Sequence, residues 1–200
     1  NDDIGIDRHH RYFFPPSPAH QPFASLFAVT PDIARALVRD MANHATKAWR
    51  QVLEINERNM AKPLPLDVTF PWGVQRFWGD AHSYVWYLGA WAPQPLEAAF
   101  TALTHWAHKR LDAGDDPDEL IRLVLEGHDN WAALGLAASL ALESMRVSET
   151  TFALVTCQRL WSIEISRMSA DPGRPITVFG MSPQAQMTAE QVTAQNYLLG

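Results

Sequence analysis

The adjacent pair His128-Asp129 is the feature of this sequence that most resembles a catalytic motif. A helical metal-dependent phosphohydrolase would use such a pair to hold a divalent metal ion beside a phosphoester, with further ligands drawn from other helices. His44 and His105 are the candidate additional ligands, because both fall on predicted helices or their ends. The surrounding sequence favours a structural role instead: Gly127 is suited to end one helix, and Asp129 or Asn130 can cap the next.

Other nucleophilic and ligand-binding patterns receive no support from the sequence. It contains no phosphate-binding loop, no dinucleotide fingerprint, no nucleophile elbow and no His-Glu-x-x-His helix. Cys157 is the single cysteine, which excludes an internal disulfide and a cysteine-only zinc site. Its apolar neighbours at helical spacing predict a buried thiol. His105 and His108 are one turn apart, but a solvated helix face explains them more simply than a metal site. We therefore assign no catalytic, cofactor-binding or metal-binding residue.

A tryptophan-rich segment provides the candidate interaction surface. The chain has eight tryptophans, and they concentrate around residues 72–106. A large aromatic core is the favoured explanation, but the segment can also present a surface to a protein partner. The residues of that predicted surface are Trp72, Arg76, Trp78 and Tyr84. The net charge of −6 makes nucleic acid an unlikely partner.

The elements that would position these residues are mostly helices. We predict an extended proline- and aromatic-rich arm over 1–29, a helical domain over 30–170, and a linker-like tail over 171–200 that can contain one short helix. The first long helix begins with Thr30 as cap and Pro31 at its first position, and can reach about Met60. Its predicted apolar face consists of Ile33, Leu37, Met41, Ala45, Ala48 and Val52.

The middle of the chain interrupts the helical pattern once. Alternating residues around Pro71-Trp72-Gly73 predict a β-hairpin near 66–78, and residues 81–91 favour a short aromatic helix. A helix with its apolar face at 96–111 ends at Gly114, and a shorter one follows between Asp116 and Gly127. The helix after residue 129 is rich in small residues, so we expect it at the centre of the domain. Ser148 caps a last helix that contains Cys157.

The predicted fold class is accordingly mostly α, with stacked antiparallel helical hairpins that form a bundle or an irregular α-solenoid and carry one small β-hairpin. The longest nearly apolar stretch, 131–142, is too short to span a bilayer, which needs about 20 residues, so we expect no membrane association. A cytoplasmic location is compatible with the single cysteine. The first residue is Asn rather than Met, and this suggests a part of a longer protein.

The order of these features resembles a known family. Three parts of the chain carry the resemblance. They are the N-terminal segment "YFFPPSPAHQPF" with the following "NHAT" helix, the hairpin segment "LPLDVTFPWGVQRFWGD", and the helices after "PLEAAF". In this order they are similar to the helical region of large bacterial STAND-class NTPases, including the AVAST-type antiphage defence group. The resemblance covers roughly residues 12–168.

The resemblance implies a non-catalytic scaffold, sensor or protein-interaction region of a regulatory or defence protein. Its partner would be another protein or neighbouring domains of the same chain, and it can take part in oligomerisation. ATP and Mg²⁺ would bind only elsewhere in such a parent protein, because this chain has no phosphate-binding loop. The alternatives are the metal-dependent phosphohydrolase built on His128-Asp129 and a stand-alone helical adaptor.

Overall fold

A computed structural model of the protein describes residues 22–55, 64–88 and 92–170, and within them the predicted fold class is confirmed: helices predominate, and two strands form one antiparallel hairpin. The helices are α1 (Phe23–Val29), α2 (Pro31–Ile55), α3 (Ala81–Tyr84), α4 (Gln94–Asp112), α5 (Pro117–Leu125), α6 (Trp131–Ser144), α7 (Glu149–Val155) and α8 (Gln158–Ala170), and the strands are β1 (Leu66–Phe70) and β2 (Gly73–Phe77). One hydrophobic core joins them, with buried residues from Phe23 to Leu160.

The N-terminal arm was predicted too long. Residues 23–29 form α1 instead of an extended segment, because the prolines end at Pro22 and the following residues allow a helix. Phe23 and Phe27 lie one turn apart and are both buried, so α1 joins the helical domain. Residues 1–21 and the predicted tail over 171–200 lie outside the described residues.

The predicted apolar face of α2 is wrong at its start. Ile33 and Leu37 are exposed, whereas the buried positions are Ala34, Val38, Ala42 and Ala45. Over residues 33–42 the buried face is thus rotated by one residue, about 100° around the helix, whereas Ala45 is buried as predicted. Small side chains allow α2 to approach α1 and α4 closely, and this packing overrides the hydrophobicity of Ile33 and Leu37. The prediction that this helix reaches Met60 falls on residues 56–63, which are outside the described chain.

The predicted hairpin is confirmed. β1 and β2 pair from Leu66 opposite Phe77 to Phe70 opposite Gly73, which leaves Pro71 and Trp72 as the two-residue loop. Val68, Phe70 and Phe77 are buried and attach the hairpin to the core. The short helix predicted after it is also present, as α3 followed by a 3₁₀ turn over Val85–Leu88.

Helices α4, α5 and α6 form the centre of the fold. The predicted face of α4 is buried from Leu96 to Ala107, and Asp116 caps α5 by accepting from the Glu119 amide. Helix α6 is buried on nearly all sides, as expected for a helix surrounded by others. Its Gly135 lies directly against aromatic rings of the α3 region.

The last predicted helix is in fact two. Helix α7 ends at Val155, Thr156 is its C-cap, and α8 begins at Gln158. The indole Nε1 of Trp161 donates to the Val155 carbonyl at 2.7 Å. This bond gives a partner to a carbonyl at the end of α7 that has none within the helix. Cys157 therefore lies between helices rather than inside one, so its predicted helical position is wrong; it is half-buried against the core, so the predicted burial is only partial.

Candidate functional site

The loop from Glu126 to Asn130 carries the His-Asp pair and is held by side chains from two other elements. Asn43 of α2 donates from Nδ2 to the Gly127 carbonyl at 2.8 Å and accepts from the Asp129 amide at 3.0 Å. Gln75 of β2 donates from Nε2 to the His128 carbonyl at 3.0 Å. These bonds replace the helical partners that the backbone lacks between α5 and α6.

The same loop is tied to the end of the hairpin. The Trp78 amide donates to the Asp129 carbonyl at 2.7 Å, and the Trp131 amide donates to the Trp78 carbonyl at 3.2 Å. Asn130 is fully buried and caps α6 by accepting from the Ala132 amide at 2.7 Å. Of the two predicted cap residues, Asn130 rather than Asp129 has this role. The loop is therefore a structural junction of α2, the hairpin, α5 and α6.

His128 is buried as a neutral imidazole. It is 4% exposed, and its ring centroid lies 6.3 Å from that of Phe100. Burial lowers the pKa of His128 from 6.5 to about 3, and the positive charge of Arg39 acts in the same direction. Its Nδ1 atom has no hydrogen-bond partner among the described residues. The ring is therefore enclosed as a neutral core side chain.

The Asp129 carboxyl has a different charged neighbour from those of His128. Burial raises its pKa, although the positive charge of Arg50 opposes the shift. Its Oδ1 atom has no hydrogen-bond partner within the described chain. The guanidinium of Arg50 lies over the Trp78 ring at 3.7 Å from the centroid, so this basic side chain is engaged in a cation–π contact.

The structure does not bring the candidate metal ligands together. His44 and His105 are exposed, whereas His128 is buried. In residues 22–55, 64–88 and 92–170, no group of three or more histidine, cysteine, aspartate or glutamate side chains is arranged to hold a metal ion. A divalent-metal hydrolase site needs such a set of ligands.

A polar triad that the sequence did not indicate lies between α4 and α6. Nε2 of His108 is 3.4 Å from the Ser139 hydroxyl, and its Nδ1 is 2.5 Å from Oε2 of Glu143. His108 is 2% exposed, so its predicted place on a solvated face is wrong, although His105 is exposed. Burial lowers the pKa of His108, and Glu143 partly offsets this shift.

The triad has the residue types of an activated serine but not the geometry of catalysis. The Ser139 hydroxyl also donates to the Leu136 carbonyl of its own helix at 2.9 Å. Ser139 lies inside α6, where backbone amides are used by the helix and cannot form an oxyanion hole around the hydroxyl. The three side chains therefore form a polar contact that links α4 to α6. Only long-range packing creates it, so no local sequence signal could have revealed it.

The predicted interaction surface is only partly at the surface. Trp72 is 39% exposed and stacks on Phe70, with centroids 4.7 Å apart. Arg76 is exposed and donates twice to Asp67, at 2.7 and 2.8 Å. Trp78 is half-buried, and Tyr84 is 2% exposed. Tyr84 is therefore a core residue, and including it in the surface was wrong: α3 turns its ring towards α6.

A different apolar surface lies around α7, and we call its four residues the α7 surface. Each is a large hydrophobic side chain that is more than half exposed. They are Met145 at 89%, Val147 at 90%, Phe152 at 61% and Val155 at 51%. The sequence "MRVSETTFALV" contains part of this signal: Phe152 and Leu154 are two positions apart, about 200° around a helix, so a core that buries Leu154 leaves Phe152 outside.

Comparison of the chain with protein-family models, with curated proteins and with solved structures finds no match. None of the described helices combines the length and the hydropathy that crossing a membrane requires. The function must therefore be argued from the chemistry of the surfaces described above.

Proposed function

We propose that this chain is a non-catalytic helical interaction region that binds a protein partner, or a neighbouring domain of the same protein, through the α7 surface. The supporting observation is the exposure of four large apolar side chains within eleven residues, Met145 to Val155. Single exposed apolar residues are ordinary on proteins, whereas grouped ones mark interaction sites.

Three of these residues occupy neighbouring positions at the start of α7 and along one side of it. Val147 and Phe152 occupy the positions just before the Ser148 cap and at the fourth residue of α7, which face each other in a hydrophobic staple. Val155 is three residues after Phe152, on the same side of the helix. Val147 and Phe152 remain 90% and 61% exposed, so a contact of this kind does not cover them.

The backbone at Met145 is a second argument for a binding role. Met145 ends α6 in the left-handed region, with φ 47° and ψ 23°, where glycine is the usual residue. A residue with a Cβ costs about 1–2 kcal/mol in this conformation. The side chain is 89% exposed, so packing within the described chain returns little of that cost. A strained and exposed methionine is suited to contact a partner.

The resemblance to the helical region of STAND-class NTPases agrees with this proposal. In such a parent protein, ATP and Mg²⁺ would bind outside this chain, and the helical region would recognise another protein or transmit a conformational change. The phosphohydrolase alternative lacks an assembled set of metal ligands in the described residues.

Site-specific photo-crosslinking in the native cell tests the proposal. A photoreactive amino acid at position 152 should give a discrete crosslinked product, and the same probe at Lys109, an exposed residue on α4, serves as the matched control. Adding Val147→Ser should reduce the product at position 152 several-fold while leaving the melting temperature within about 1 °C, since exposed sites contribute little to stability. Equal yields at both positions, or no product at position 152, would exclude the α7 surface as the interface.

A further inference from the structure

A short apolar patch lies on the first half of α2, beside its buried face. Ile33 and Leu37 are 62% and 38% exposed, and because they are four positions apart they share one side of the helix. Met41 continues this row and is half-buried against the core. The same side of α2 then becomes polar, with the exposed residues Asp40 and His44. We call Ile33, Leu37 and Met41 the α2 patch, and its length is about 12 Å at roughly 1.5 Å per residue.

The α2 patch is more than one isolated exposed side chain. Val29, the last residue of α1, is 79% exposed, so apolar side chains meet water on both sides of the junction at Thr30. The packing of α2 against the core uses Ala34, Val38 and Ala42 instead. Scattered apolar residues on a surface need no explanation, whereas a row of them indicates a surface that another segment covers.

The segment that enters α1 has a matching row of apolar side chains. Three consecutive aromatic residues, Tyr12, Phe13 and Phe14, precede Pro15 and Pro16. Proline excludes a regular helix and favours extended backbone in the residue before it, so the sequence predicts an extended run. Three extended residues span about 10 Å, close to the length of the α2 patch. Alternate side chains share one side of an extended backbone, so Tyr12 and Phe14 can contact the patch together.

The covalent connection brings this aromatic run within reach of the α2 patch. Phe14 is joined to Pro22, the residue before α1, by a proline-rich stretch that can span about 25 Å at roughly 3.1 Å per residue. The path from Pro22 through α1 and the first turn of α2 to Ile33 is about 20 Å even for collinear helices. A linkage of this kind corresponds to an effective concentration in the millimolar range. A segment of the same chain therefore occupies the patch in preference to a separate protein at micromolar concentration.

We propose that the aromatic run Tyr12-Phe13-Phe14 docks on the α2 patch of the same chain and covers Ile33 and Leu37. The contact closes the apolar surface of α2 and leaves the α7 surface free for a partner. It uses no residue of the α7 surface, so this inference and the proposed function can fail independently.

Photo-crosslinking of the purified full chain tests where the aromatic run lies. A photoreactive phenylalanine analogue at position 14 should form a product with Leu37, which lies on a different tryptic peptide because trypsin cleaves after Arg35. The same analogue in place of Phe152, an exposed residue of α7, is the matched control and should give a several-fold lower yield of that product.

An equal mixture of ¹⁵N-labelled and unlabelled protein distinguishes contacts within one chain from contacts between two. Products that join a labelled peptide to an unlabelled one would show that a second copy covers the patch, and this would overturn the proposal. Equal yields from positions 14 and 152, or no product between position 14 and α2, would overturn it as well.

Thermal unfolding supplies a second measurement that does not depend on a crosslinker. Phe14→Ala should lower the melting temperature by about 2–4 °C in the wild-type chain and much less in a Leu37→Ser background, because both changes remove the same contact. A Val147→Ser background, changed at an exposed position outside the patch, should keep the full decrease. The proposal is wrong if Phe14→Ala has no effect in the wild-type chain, or if it costs the same in both backgrounds.

Discussion

Gly135 offers the sharpest test of how the centre of the fold is packed, through the substitution Gly135→Ala. A Cβ added there would lie 2.5 Å from Cε1 and 2.8 Å from Cδ1 of Tyr87, and 2.9 Å from Cε2 of Tyr84. These distances are well inside van der Waals contact, so ring atoms must move. The two rings are packed edge to face, 5.6 Å apart at 79°, and Tyr84 is 2% exposed.

Two opposing effects determine the change in the free energy of unfolding. Alanine favours a helix interior over glycine by about 1 kcal/mol. Overpacking a well-filled core costs about 1–3 kcal/mol, and displacing a ring from its edge-to-face partner can remove about another 0.5–1.5 kcal/mol. Both rings are enclosed, so both penalties apply, and we take the middle of each range, about 2 and about 1 kcal/mol. We expect Gly135→Ala to destabilise the protein by about 2 kcal/mol.

Urea unfolding followed by tryptophan fluorescence measures this change, and the melting temperature should fall by about 4–8 °C for a chain of this size. The control is the same substitution in a Tyr87→Leu background, where a flexible side chain replaces the ring and most of the penalty should disappear. If Gly135→Ala stabilised the protein, or cost the same in both backgrounds, the glycine would not be explained by close approach of the tyrosines.

Three further predictions concern the loop between α5 and α6. His128 binds a proton near pH 6.5 in the unfolded chain but only near pH 3 in the folded one. The free energy of unfolding therefore falls as the pH is lowered through 6.5, by about 2 kcal/mol at pH 5 from this group. In urea titrations, His128→Gln should lose that part of the pH dependence. Burial raises the pKa of Asp129, which means that the charged form is disfavoured in the fold, so Asp129→Asn should raise the urea midpoint at pH 7 and the difference should shrink as the pH falls. Asn43→Ala removes two hydrogen bonds to the loop and should destabilise by about 1–3 kcal/mol, whereas His44→Ala at the neighbouring exposed position should change the urea midpoint little.

Features that depend on local chemistry could be predicted from the sequence. Asp116 and Ser148 were recognisable as helix caps because their side chains bond to amides only a few residues away. Gly127 was recognisable as a helix end, and it adopts φ +70°. The hairpin followed from alternation around Pro71, since strand residues face opposite sides of a sheet. These elements need no knowledge of the rest of the chain.

Features that depend on packing between distant segments could not be predicted from the sequence. The buried face of α2 was misplaced because Ile33 is more hydrophobic than Ala34, yet Ala34 fits where helices approach closely. The contact between His108 and Glu143 joins residues of different helices that no periodicity relates. Tyr84 was assigned to the surface because an aromatic residue near a hairpin suits either location. Each error arises where steric fit, rather than hydrophobicity, decides.

The loop that carries His128 and Asp129 is a poor place to test the function of this chain, and the α7 surface is a better one. Its peptide groups are already bonded to α2 and to the hairpin, so substitutions there disturb the junction of four elements and would confuse loss of folding with loss of function. Residues of the α7 surface are different, because exposed side chains outside special backbone positions can be changed at about ±0.5 kcal/mol. Val147 and Phe152 meet that condition. These positions can therefore separate a binding defect from a folding defect, which the His-Asp pair cannot do.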